Sequence, residues 1–147
     1  MDKKPTNPNP KDRAATSRLD LSLFPATARA YGALALTEGD CKYGGYNWRD
    51  ASACASVYYS AASRHLEKWY NGEECDDKTG VPHLASALAS IAVLIDASEC
   101  GKLTDDRPPV APVQEMLARM EYLVARLHTL FPEGPVRHTE AGKSIAP

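Results

Sequence analysis

No stretch of this chain is apolar for long enough to cross a bilayer. The longest nearly apolar run, Val81 to Ala97, is interrupted by His83, Ser86, Ser90 and Asp96. It falls short of the ~20 apolar residues that a membrane helix requires, so it reads as a buried core helix and no membrane partner is expected. Met1 Asp2 Lys3 Lys4 leads into prolines rather than an apolar run, so no secretory signal is expected and a cytoplasmic location is. An excess of one charge is lacking too: the formal net charge is -2, without the clustered basic surface that duplex nucleic acid would call for. A free nucleotide needs only a local group of cations. The four cysteines, Cys41, Cys54, Cys75 and Cys100, never fall in a Cys-x-x-Cys pair, which argues against both a thiolate zinc site and a disulfide framework. GxxxxGK[ST] and GxGxxG are absent, which removes two large classes of nucleotide binder. So is the Gly-x-Ser-x-Gly elbow of a serine nucleophile.

What is present is a chain of 147 residues, 44% hydrophobic and 24% charged, the composition of one folded domain. Residues 1–18 hold three prolines and almost no apolar side chains, and are expected to form an extended, flexible arm. Leu19 to Leu23 alternates apolar and polar residues with no partner strand downstream, and reads as an extended lead-in packed on helices. Helices follow over Ala26 to Glu38, with Gly39 as the stop, and over Trp48 to Asn71, stopped by Gly72. A central helix starts near Pro82, and a last one covers Val113 to Phe131 with apolar residues at steps of three and four. The expected architecture is an all-α four-helix bundle, a single helical catalytic domain over 19–131 with a flexible tail over 132–147. The wide alanine-rich face of the central helix suits an oligomer interface as well as the core, and a homo-oligomer, dimer or tetramer, is expected.

Polar residues concentrate around the junction of the second and third helices: Arg64, His65, Glu67, Glu73, Glu74, Asp76, Asp77 and His83. An antiparallel hairpin would bring His65 and His83 near the intervening loop, with Glu73 and Asp76 between them. Hard cations take carboxylate oxygens and leave positions open for water and phosphate, while imidazole tolerates manganese better than magnesium. The same acids would equally suit a solvated loop, and His65 on an apolar stripe would suit a hydrogen-bonded core histidine. The loop Lys42 Tyr43 Gly44 Gly45 Tyr46 Asn47 Trp48 Arg49 combines cations, rings and an amide, the groups that meet phosphate, stack on a base and read its edge. A glycine turn anchored by Trp48 would use the same residues. Asp96 and Glu38 read as partners of Arg or Lys, with Glu38 a further candidate metal ligand.

Asn9 Pro10 Lys11 Asp12, Arg18 to Pro25, Glu38 Gly39, Lys42 Tyr43 Gly44 and Asn47 Trp48 Arg49 resemble the phage dATP/dGTP pyrophosphohydrolases, MazG-like enzymes. The similarity continues through Tyr58, Arg64 His65 Leu66, Trp69, Gly72 Glu73, Asp76, Thr79 Gly80, Pro82 His83 Leu84, Asp96 and Thr104 to Pro108. The resemblance implies an all-α NTP pyrophosphohydrolase, including the MazZ type of phages that replace adenine with 2-aminoadenine, where dGTP is converted to dGMP. MazG-like relatives usually carry Glu-x-x-Glu on one helix and Glu-x-x-Asp on the next, both binding magnesium. This sequence has Glu73-x-x-Asp76 in the inter-helix loop and no Glu-x-x-Glu on the second helix.

Together these readings predict a hydrolase using Mg2+ or Mn2+, with catalytic residues Glu73, Asp76 and His65, metal ligands Glu73, Asp76, His83 and Glu38, and substrate contacts from Lys42, Tyr43, Asn47, Trp48, Arg49 and Arg64. The competing reading is a non-catalytic helical module that binds a nucleotide or a protein. A zinc hydrolase fits less well, since neither His65 nor His83 lies in an HExxH pattern.

Overall fold

The computed structural model describes residues 9–15, 17–134 and 136–140. The fold is all-α: α1 (Pro10–Ala15), α2 (Ala26–Tyr43), α3 (Asn47–Ala51), α4 (Ala55–Tyr70), α5 (His83–Glu99) and α6 (Val113–Leu130). Strands among the described residues are limited to β1 (Ala53–Cys54) and β2 (Leu103–Thr104), paired in parallel with Ala53 opposite Leu103. The chain divides into two compact units, one ending at Arg107 and one starting at Pro108. The division falls at Pro108 and Pro109, whose rings cannot continue a hydrogen-bonded ladder. A single core over 19–131 was the expectation; α6 forms where it was predicted, but within the second unit.

Residues 1–8 and 16 of the expected arm lie outside the described residues. Where the rest was expected to be extended, Asn9 caps α1 by accepting from Lys11 N at 3.0 Å, and Pro10 occupies the first helical position, where its missing amide hydrogen is no loss. Leu19 to Leu23 does not pack on helices. Asp20 caps a short 3-10 turn, Leu21–Leu23, through Ser22 N at 2.9 Å, and Leu19, Leu21 and Leu23 stay exposed.

Gly39 does not stop α2. The helix runs on to Tyr43 and ends at Gly44, whose φ of 84° is open to glycine and whose N–H donates to the Asp40 carbonyl at 2.9 Å. The second predicted helix is two. Ser52, at φ 76°, separates α3 from α4, because long-range bonds overrule local propensity there: Ala53 N donates to the Lys102 carbonyl at 3.0 Å, and Asp106 accepts from Ser56 N at 2.8 Å and from its hydroxyl.

α5 is the centre of the first unit and packs against α2 and α4. Four of its five alanines, Ala85, Ala87, Ala89 and Ala97, are buried, while Leu84, Ile91 and Ile95 are exposed. One cluster joins Ala35, Val81, Ala85 and Ala89; a second joins Ala53, Val93 and Ala97, with Trp48, Tyr58 and Leu103 against it. Small side chains let the backbones approach closely. A Cβ at Gly32 on α2 would sit 3.3 Å from Leu88 Cδ2 on α5, tighter than packed interiors accept without a shift.

Candidate active site

Because α2 is a turn longer than predicted, Glu38 and Lys42 lie one turn apart on it and form an ion pair. The tight turn that follows carries a second unusual residue, Tyr46, in the left-handed region at φ 56°. A Cβ at Gly45 would meet Asp40 Oδ1 at 3.0 Å. This turn delivers α3 beside α5, where Asp96 fixes it. Asp96 Oδ2 accepts from Trp48 Nε1 at 2.6 Å and from Arg49 Nε at 2.8 Å, and Oδ1 accepts from Arg49 Nη2 at 2.7 Å. Arg49 and then Trp48 hold the Asp96 carboxyl down at about 2, and the bond to Asp96 in turn raises the Arg49 guanidinium. The Arg49 guanidinium also lies 4.5 Å from the centre of the Tyr46 ring, a cation–π contact that further restricts it.

The result is an open cavity of about 1030 Å³ walled by α2, the 44–49 turn, α4 and α5. Lys42, Tyr43, Asn47, Trp48 and Arg49, the predicted substrate contacts, all line it, as do Glu38, His65 and Asp76. Arg64, Glu73 and His83 do not. Arg64, expected at phosphate, is exposed on α4 and donates to Ser60 Oγ at 2.8 Å. Thr37, Asp40, Thr79, Ser86 and Ser90 add to the polar lining. Sequence spacing missed them because the extended α2 brings in Asp40, the folding back of the 73–82 loop brings in Thr79, and Ser86 and Ser90 sit on a helix that reads as core. That loop is ordered by Asp76, whose Oδ1 accepts from Lys78 N at 3.0 Å and Thr79 N at 2.9 Å, bonds that lower its pKa.

The predicted hairpin does bring His65 and His83 together. Their Nδ1 atoms lie 3.0 Å apart, and His83 Nε2 lies 2.9 Å from Glu73 Oε1. Lys68 Nζ reaches the same oxygen at 3.2 Å, so Glu73 is held in its ionised form by His83 first and Lys68 second. His83 has no exposed surface and both ring nitrogens engaged. No atom of it is open to a cation, which corrects its expected role as ligand.

Among the described residues no three His, Cys, Asp or Glu side chains converge on one point. Magnesium rarely needs such a cage; it is usually bound by one or two carboxylates together with substrate phosphates. Glu38, Asp40 and Asp76, which line the cavity together with Lys42, are the carboxylates available for binding of that kind.

The family model for dATP/dGTP diphosphohydrolase, N-terminal, matches residues 8–107, more than half of the chain. The chain belongs to this family. It is an enzyme, a hydrolase acting on acid anhydrides, and a nucleotide is its substrate. The matched span ends where the first compact unit does, so the dATP/dGTP diphosphohydrolase segment contains the whole cavity and excludes α6. Searches of curated proteins and of solved structures found no match.

No helix among the described residues is long and apolar enough to cross a membrane.

Proposed function

We propose that this enzyme cleaves dGTP, with dATP or GTP as secondary substrates, to the monophosphate and pyrophosphate with Mg2+ or Mn2+, in phage purine metabolism linked to 2-aminoadenine DNA. The observation that carries the reading is the convergence of Lys42, Asn47, Trp48, Arg49, His65 and Asp76 on one cavity inside the segment that defines the family. Lys42 and Arg49 meet the triphosphate, and Tyr43, Asn47 and Trp48 meet base and sugar. Glu38 and Asp76 would hold the cation, which when bound neutralises phosphate charge. Asp96 keeps Arg49 in place, so less side-chain freedom is lost on binding.

Water adds to the α-phosphorus and the bond from that phosphorus to the bridging oxygen breaks, releasing pyrophosphate. No covalent intermediate is needed, because positioning and charge neutralisation supply much of the acceleration. The protein acts as a homo-oligomer in this reading, since α5 leaves Leu84, Ile91 and Ile95 exposed on one stripe for a second copy to cover. The test is to supply dGTP with magnesium or manganese and separate the products. dGMP and pyrophosphate are expected; dGDP and phosphate would refute the bond position, and unchanged nucleotide held tightly would favour a binding module.

A further inference from the structure

We infer that Glu73, His83 and His65 form a one-way hydrogen-bond relay that presents the unprotonated Nε2 of His65 to the cavity as the acceptor of the attacking water's proton. The inference rests on the function proposed above and goes beyond it by naming the base.

The direction of the relay follows from what each atom can donate. An ionised Glu73 only accepts, so the hydrogen in the 2.9 Å contact belongs to His83 Nε2. A doubly protonated His83 would donate from both nitrogens and leave the hydrogen of His65 on Nε2; the relay assigns His83 its neutral form, whose one hydrogen is spent on Glu73 and whose Nδ1 is then an acceptor. The 3.0 Å contact between the two Nδ1 atoms is then a bond only if His65 donates from Nδ1. His65 Nε2 is therefore left with its lone pair. It makes no hydrogen bond among the described residues, and no buried side-chain nitrogen there lacks a partner, so Nε2 is reached by solvent. His65 itself walls the cavity, as Asp76 does. The groups facing this ring are His83 from α5, Lys68 and Arg64 from its own helix, and Asp76 from the loop.

In the step, the water oxygen bonds to the α-phosphorus, its proton passes to His65 Nε2, and the pair from the broken phosphorus–oxygen bond leaves with pyrophosphate. The imidazolium keeps donating through Nδ1 to His83, and the Glu73 carboxylate at the far end stabilises the charge. The proton is then released to bulk water. His65 is the base, while His83 and Glu73 are positioning residues, the usual division where one group sets the tautomer of another.

The experiment has a spectroscopic and a kinetic arm. In the full-length protein, 15N–1H correlation of the histidine rings, assigned with single His→Gln variants, should give a pyrrole-type Nδ1 and a pyridine-type Nε2 for His65. Glu73→Ala should shift that tautomer balance and lower kcat for dGTP with little change in KM. His65→Gln should lower kcat by about 100-fold or more, the usual range for a lost general base, while dGTP affinity stays within a few-fold. A hydrogen on His65 Nε2 in the wild type, or wild-type kcat in His65→Gln, would overturn the relay. A wild type that leaves dGTP intact refutes the proposed substrate and the role as base together, and the ring signals then decide the relay's direction alone.

Discussion

Asp96 on α5 grips Arg49 on α3 at two points, 2.8 and 2.7 Å, and takes Trp48 Nε1 on the same carboxylate at 2.6 Å. Residues 47 apart in sequence are thereby locked on one cavity wall. Asp96→Asn cannot offer two charged acceptors, so Arg49 should swing free and meet phosphate less often. KM for dGTP should rise about tenfold, the size expected for one weakened charge-assisted contact, with a smaller fall in kcat. Steady-state kinetics checks this; an unchanged KM would show that Arg49 needs no anchor.

The same clasp sets an acid limit. The Asp96 pKa lies at about 2 in the folded protein against 3.8 for the free side chain. A depressed carboxylate contributes stability that is full above the unfolded value and is lost as pH falls through the folded one. Its contribution should therefore persist to about pH 4 and fade between there and about pH 2. Trp48 fluorescence in a Trp69→Phe background reports it. The wild type should hold its signal down to pH 4, and Asp96→Asn should lack the step below it.

The alanine core has little room for growth. Ala85 is fully buried on α5 between Ala35 and Val81 of other segments. Ala85→Leu should destabilise by about 1–3 kcal/mol, the usual penalty for overpacking. Thermal denaturation by circular dichroism reads it, and a Tm equal to the wild type's would mean that α2 yields without strain.

Periodicity made the helices legible, and residue chemistry made the loop from Lys42 to Arg49 legible, because both signals are local. The ends of elements were not. Gly39 looks like the natural stop for α2, yet of Gly39 and Gly44 it is Gly44 that takes a positive φ, and an internal glycine carries only a modest penalty in a helix. The break at Ser52 depends on Lys102 and Asp106, some 50 residues on, and no local pattern records that. The pairing of Glu38 with Lys42 and of Asp96 with Arg49 followed from the expectation that each acid would find a cation. The orientation of α5 did not follow, because its apolar residues run nearly all round the helix. Whether alanine or isoleucine faces in is decided by how closely α2 and α4 approach.

That orientation carries its own prediction. Ile91 and Ile95 lie four residues apart on the exposed side of α5, at 42% and 60% exposure, and neighbours at that spacing share a helix face. If a second copy covers them, Ile95→Lys should shift the protein toward monomer in size-exclusion chromatography with light scattering, while its helical signal stays intact. A wild type that elutes as a monomer at micromolar concentration would remove the oligomer from the proposal.

Asp76 and Glu38 enter the cavity from different segments, the loop before α5 and the last turns of α2, so each should bear separately on cation use. Asp76 has one oxygen committed to the backbone of Lys78 and Thr79, bonds that an asparagine oxygen can also accept. Asp76→Asn should therefore keep the loop and its thermal stability while losing the carboxylate charge. We expect a chelator to abolish dGTP turnover in the wild type and added Mg2+ or Mn2+ to restore it. Asp76→Asn should need about ten times more cation for half-maximal rate, and Glu38→Gln should behave similarly with Lys42 released. Titration of the rate against cation concentration measures all three. Turnover that survives the chelator, or cation curves that do not move in either variant, would remove Glu38 and Asp76 as ligands and leave the cavity to act through its fixed cations and His65.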